Sequence, residues 1–175
     1  SIRALELQGC HPCLQSERDG LQRRDRKGMA ERRINWGTGG FKSDDWHFVY
    51  KMIQKYRIKS VLEYGCGVST ELLAAIGIPV VSLETKAEWA EPYGEGFNVI
   101  LCDYAKGYPE MKQRFDMAFV DGPGDTEAQE NWLNIGRSKA VLHAKKYCGI
   151  IYLHDYDLFQ YEHLDNDSNW IKGNE

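Results

Sequence analysis

Nowhere in the 175 residues does an apolar run approach the roughly 20 residues that a membrane-spanning helix needs. Nor is there the apolar stretch of a secretory signal near the start, so the expected compartment is the cytoplasm, with no membrane partner. Cysteine is scarce and odd in number, at five, which argues against a disulfide framework. Cys66, Cys102 and Cys148 fall in or beside apolar runs, where a free thiol behaves as a small hydrophobe. The pair in "CHPC", Cys10 and Cys13, has no second pair at ligand spacing, which leaves a zinc site without its other half. Internal repeats and low-complexity linkers are missing as well.

An excess of positive charge is also absent. The chain carries 22 Lys and Arg against 26 Asp and Glu. Its leading stretch, residues 1–28, is charged, aperiodic and poor in apolar residues, so it is expected to lie outside the fold as a disordered or foreign leader. That stretch holds six basic and four acidic residues, which leaves 16 basic against 22 acidic for residues 29–175. A domain with a net charge of that sign lacks the electrostatic footprint for a phosphate backbone, and nucleic acid is not an expected partner.

What is present is alternation. Ser43 is placed to cap a helix with Asp44 and Asp45 in its first turn, where the helix dipole favours acids. Trp46, Val49, Tyr50, Ile53 and Tyr56 then recur at helical spacing. Five short apolar runs follow, "SVLEY", "PVVSLE", "FNVILCD", "DMAFVD" and "GIIYLHD", separated by helical patterns that include "TELLAAIG", "YPEMKQRF" and the segment 126–146. Strands alternating with helices imply an α/β domain with a mainly parallel, doubly wound, Rossmann-like sheet flanked by helices. Only 20 residues remain after Asp155, without a strong strand pattern beyond fragments such as "NWI". The sheet is therefore expected to be truncated after the fifth strand, or completed by a partner subunit in a homo-oligomer.

Ligands of such sheets bind beyond the carboxyl ends of the strands. Each predicted strand ends at or within two positions of an acid: Glu63, Glu84, Asp103, Asp121 and Asp155. The turn after the first of these strands, "VLEYGCGVST", has two glycines, Gly65 and Gly67, but Thr70 stands where a dinucleotide fingerprint needs a third. Glu63 at the strand end would repel a pyrophosphate. A cationic ligand without phosphate reverses that argument.

This stretch resembles the E/D-x-G-x-G motif of class I S-adenosylmethionine-dependent methyltransferases, and the likeness continues from about Trp36 to Asp157. The resemblance implies that Gly65 and Gly67 let the backbone pass the methionine part of the cofactor, with Glu63 supporting its amino group. Ser69 and Thr70 would orient the same end, and Trp36 would fold over it as a lid. Glu84, 19 residues after Gly65, matches the ribose-binding acid. Asp103 resembles the residue that meets the adenine amino group, and Asp121, in "FDMAFVDGPG", sits at the mouth of the site.

Methyl transfer to a hydroxyl needs positioning and a proton acceptor. His154, Asp155 and Asp121 share the strand-end rim and are the candidate catalytic residues, with histidine suited to a general base. Catechol-type relatives bind magnesium through carboxylates after the fourth and fifth strands and an adjacent amide. Asp121 and Asp155 match those carboxylates, but Tyr156 replaces the amide, so a divalent metal is not favoured. The expected function is S-adenosylmethionine-dependent methylation of a small molecule, at oxygen. The alternatives are a non-catalytic cofactor-binding or interaction module with the same fold, and an NAD-dependent oxidoreductase.

Overall fold

Each apolar run from Val61 onward becomes a strand, and the two-residue period decides which face every side chain takes. The computed structural model describes residues 3–6, 41–103, 106–123, 137–154 and 169–172. In chain order these form β1 (Arg3–Glu6), α1 (Ser43–Tyr56), β2 (Val61–Tyr64), α2 (Val68–Ala75), β3 (Val80–Glu84) and α3 (Ala87–Ala90), the last continued by a 3-10 turn, Glu91–Tyr93. β4 (Asn98–Leu101), β5 (Phe115–Val120), α4 (Arg137–Tyr147), β6 (Cys148–Leu153) and β7 (Asn169–Lys172) follow.

The strands make one sheet in the order β4-β3-β2-β5-β6-β1-β7. β2 through β6 pair in parallel, so strand order reverses between β2 and β5, where an open α/β sheet places its crevice. Register aligns Glu63 with Ser82 on one side and Phe119 on the other, and Phe119 with Tyr152. The next row is Leu83, Tyr64, Val120 and Leu153. These rows head two cores. Val49, Ile53, Leu72 and Leu73 of α1 and α2 pack with Val61, Met117, Phe119 and Tyr152. On the opposite face, Ala140, Val141 and Ala144 of α4 pack with Leu62, Tyr64, Val120 and Leu153. The doubly wound architecture expected from the sequence is therefore the one observed.

The edges depart from expectation. The sheet does not stop at its fifth parallel strand: β1 pairs antiparallel with β6, and β7 antiparallel with β1. "NWIK" supplies β7. Four residues of the leading stretch that the sequence set aside supply β1, so residues 1–28 are not wholly outside the fold. Ladder bonds are made by backbone groups, which a charged, aperiodic segment carries like any other. No partner subunit is needed to continue the sheet past β6.

Two local expectations are corrected as well. Lys42, not Ser43, is the N-cap residue of α1, and Asp45 accepts its N–H at 2.7 Å. "YPEMKQRF" is not helical, because Gly107 turns the chain with φ +94° and Pro109 restrains the residue before it to extended backbone. Tyr108 then packs edge-on against Tyr64, with ring centroids 5.0 Å apart. Among the described residues, no helix is long and apolar enough to cross a membrane.

Candidate functional site

The crevice is built by two glycines in backbone contact. Gly65 follows β2 with φ +94°, and a Cβ there would lie 3.1 Å from the Gly122 backbone beyond β5. A Cβ on Gly122 would come within 2.9 Å of Gly65 Cα. Neither position has room for a side chain, and Gly65 also needs a left-handed backbone. Gly67 differs: its φ of −179° is extended backbone that any residue adopts, and among the described residues nothing lies within 4 Å of an added Cβ. Among the described residues, what its missing side chain leaves is open space above the turn.

The turn keeps its N–H groups for itself. Gly65 N–H donates to the Leu83 carbonyl at 2.9 Å, Cys66 N–H to Glu84 Oε2 at 2.8 Å, and Gly67 N–H to Thr70 Oγ1 at 3.0 Å. Thr70, the residue in place of a third glycine, passes this bond on, donating its hydroxyl to Glu63 Oε2 at 2.6 Å. Ser69 donates to Glu63 Oε1 at 2.6 Å and Ser82 to Oε2 at 2.5 Å. Glu63 is fully buried beneath these hydroxyls. Burial pushes its carboxyl up to about 7 against the opposing pull of the three hydroxyls, with the charge of Asp121 adding to the rise.

Glu84 ends β3 and is buried. Its Oε1 accepts the N–H groups of Thr85 at 2.6 Å and Lys86 at 2.9 Å, and Oε2 accepts only Cys66 N–H among the described residues. Oε2 thus keeps an acceptor direction at the crevice. Asp103, past β4, is exposed, and Lys106 Nζ lies 3.4 Å from its Oδ2. These three acids stand at or just past the strand ends as expected. Glu63 has both oxygens occupied by the hydroxyls of Ser69, Thr70 and Ser82.

At the other side of the switch point, Asp121 Oδ1 lies 2.9 Å from His154 Nδ1 and 3.4 Å from an Arg137 terminal nitrogen. Arg137 also donates to the carbonyls of Pro123 at 3.0 Å and His154 at 2.7 Å. The second ring nitrogen of His154, Nε2, lies 3.4 Å from Asp45 Oδ2, and Phe41 closes edge-on over the ring at 5.5 Å. The His154 side chain is only 4% exposed, whereas that of Asp121 is 25% exposed. Arg137 and Asp45 are the functional candidates that sequence reasoning missed. Asp45 read as a helix-dipole acid, and no local pattern marked Arg137, which is followed by Ser138 and Lys139.

Trp36 and Asp155 lie outside the described residues. Among the described residues, no three His, Cys, Asp or Glu side chains group as metal ligands.

No family model matches the chain, and no curated protein does. Solved structures similar to it include CalS10 from Micromonospora echinaspora, a calicheamicin-pathway amino pentose methyltransferase with S-adenosylmethionine bound. It is 19% identical with a TM-score of 0.46, over 63% of this chain and 50% of that one. Another is an S-adenosylmethionine-dependent methyltransferase from Clostridium acetobutylicum, 12% identical with a TM-score of 0.42, over 58% of this chain and 44% of that one. The match thus spans half or less of each of those two proteins.

Proposed function

We propose that this chain is an S-adenosylmethionine-dependent methyltransferase acting on a small molecule, with transfer to oxygen. The observation that carries the reading is the glycine turn. Its three successive N–H groups are consumed by Leu83, Glu84 and Thr70, so none of the three is left for an anion, while among the described residues Gly67 leaves its outer side open. Carboxylates stand around it at Glu84, Asp103 and Asp121, the last two each with a cation 3.4 Å away, Lys106 and Arg137. Such a turn suits a nucleoside that carries positive charge and no phosphate, and it disfavours the pyrophosphate of NAD.

The residues fit that cofactor in named places. Gly65 and Gly67 allow backbone approach, with Ser69 and Thr70 holding the turn onto Glu63. Glu84 Oε2 is the acceptor for ribose hydroxyls, and exposed Asp103 is the acceptor for the adenine amino group. When bound, the cofactor supplies an electrophilic methyl group on a sulfonium. The chain's own part is to orient the acceptor hydroxyl and take its proton. Asp121 has Oδ1 engaged and Oδ2 without a partner among the described residues, and we assign Oδ2 the hydroxyl. Asp155, the next residue after His154 in the sequence, is the second carboxylate assigned to the proton.

Calorimetric titration with S-adenosylhomocysteine, with NAD as control, tests this. The first should bind and the second should not. Glu84→Ala should weaken binding by at least about tenfold, the effect of roughly 1.4 kcal/mol. Gly67→Val should abolish binding and leave the fold intact, since its side chain meets none of the described residues within 4 Å. Binding of NAD in place of S-adenosylhomocysteine, or of neither by folded protein, would overturn the reading. Binding without turnover across a broad acceptor panel would favour the non-catalytic module.

A further inference from the structure

His154 has a carboxylate on each of its two ring nitrogens, Asp121 at 2.9 Å and Asp45 at 3.4 Å. A neutral imidazole carries one N–H and one lone pair, so between two carboxylates one nitrogen would turn its lone pair toward a negative oxygen. Asp45 Oδ2 is committed as an acceptor, because it takes the Lys42 N–H at 2.7 Å, and its place in the first turn of α1 favours the ionised form. Asp121 Oδ1 is likewise committed, facing the Arg137 guanidinium at 3.4 Å. With both carboxylates ionised, the doubly protonated ring is the form that donates to each of them.

We propose that His154 is an imidazolium clamp: it donates from Nδ1 to Asp121 and from Nε2 to Asp45, and thereby aligns Asp121 at the rim and fastens the start of α1 to the sheet. His154 is then a positioning residue and not the base that its type and place suggest. Among the described residues the charged groups around the ring are Asp121 from the end of β5, Asp45 from α1 and Arg137 from α4, and with the imidazolium they make two cations and two anions. Glu63 on β2 couples to Asp121 through charge. The ring itself is buried, and an unpaired charge at 4% exposure is costly. Phe41, packed edge-on against the ring and against Phe119, excludes the water that would otherwise screen it. The clamp stands on geometry alone; its service to methyl transfer rests on the proposed function.

The test is a long-range proton–nitrogen correlation spectrum of the histidine rings in the full chain labelled with nitrogen-15, recorded between about pH 6 and about pH 8. His154, assigned by its loss in His154→Gln or through the backbone, should show two protonated nitrogens at about pH 7.5, where free histidine shows one. In Asp45→Asn the same ring should show one protonated nitrogen at that pH, with the His143 signals unmoved as the sign of an intact fold. A singly protonated His154 in the unmodified chain, or an imidazolium indifferent to Asp45→Asn, would overturn the proposal. Titration of the same samples with S-adenosylhomocysteine separates the two claims. Cofactor binding beside a singly protonated His154 removes the clamp and keeps the methyltransferase; an imidazolium without cofactor binding keeps the clamp and removes the methyltransferase.

Discussion

The two buried histidines of the described chain, His143 on α4 and His154 after β6, are the same side chain put to opposite uses. His143 sits between the Tyr64 hydroxyl, 2.7 Å from Nδ1, and the Pro109 carbonyl, 2.9 Å from Nε2. A carbonyl can only accept and a hydroxyl can donate, so one N–H and one lone pair complete the set and the ring is neutral. Burial holds its pKa below the usual histidine range, in agreement. His154 meets a carboxylate on each side. The difference follows the neighbouring rows of the sheet. The row of Leu83, Tyr64, Val120 and Leu153 faces α4 and its aromatic cluster, while the row of Ser82, Glu63, Phe119 and Tyr152 faces α1 and α2 and carries a buried acid. Charge is kept on the side and rim where the crevice opens, and neutral pairs hold the other face.

If that division is right, His143→Ala should produce the largest loss of stability outside the glycine turn. It removes a buried ring in contact with Tyr64, Tyr108 and Tyr147, and leaves the Tyr64 hydroxyl and the Pro109 carbonyl without their partner. Cavity and lost hydrogen bonds together predict a loss of about 2–5 kcal/mol in urea denaturation. Cofactor affinity of the protein that remains folded should change by less than roughly threefold. A small stability loss with a large affinity loss would exchange the roles of the two faces.

Much of this division was legible in the sequence, and its limits are physical. The runs around Val61, Val80, Val99, Met117 and Ile151 read as buried strands because parallel strands covered on both faces are apolar throughout. Acids at their ends read as ligand-facing because the switch-point rule places them there. The rule cannot say which acid is open. Glu63 is closed by Ser69 and Thr70, six and seven residues on, and by Ser82, which reaches it only through the parallel register of β2 and β3. Asp45 reaches His154 across 109 positions, a contact no local pattern encodes. "RALE" has too few residues for a period, so β1 was invisible within a stretch that reads as charged and aperiodic as a whole. "YPEMKQRF" has helical spacing, but Pro109 and the hold of His143 on its carbonyl outweigh it.

The pH dependence of stability sharpens the same comparison, with opposite signs on the two faces. The Glu63 carboxyl is raised from 4.5 to about 7, so its contribution is fully present below about 4.5 and is lost as pH rises through 7. His143 is lowered from 6.5, so its contribution is present above that value and is lost as pH falls below it, when the unfolded chain takes up the proton. Denaturation curves from about pH 5 to about pH 8 on the unmodified chain, Glu63→Gln and His143→Gln separate the two terms. The difference between the chain and Glu63→Gln should fall toward high pH, by on the order of 1–3 kcal/mol. The difference between the chain and His143→Gln should fall toward low pH. Parallel slopes would mean that the acid is not held in a dry row, and the contrast between the faces would lose its electrostatic half.

The smallest effect is expected at Tyr147→Phe, and its smallness is informative. Tyr147 ends α4 and donates its hydroxyl to Glu110, on the same extended segment whose Pro109 carbonyl is held by His143. Two ties therefore run from α4 to this segment, one at the surface and one buried. Water replaces a surface hydrogen bond at little net cost, but cannot reach the buried one. Phenylalanine keeps the ring against His143, 4.9 Å away, and removes only the surface tie. The denaturation midpoint and the cofactor affinity should both stay where they are. A loss comparable to that of His143→Ala would show that the segment hangs from its exposed end, and His143 would then be a passenger in a cluster held by its neighbours rather than the neutral counterpart of His154.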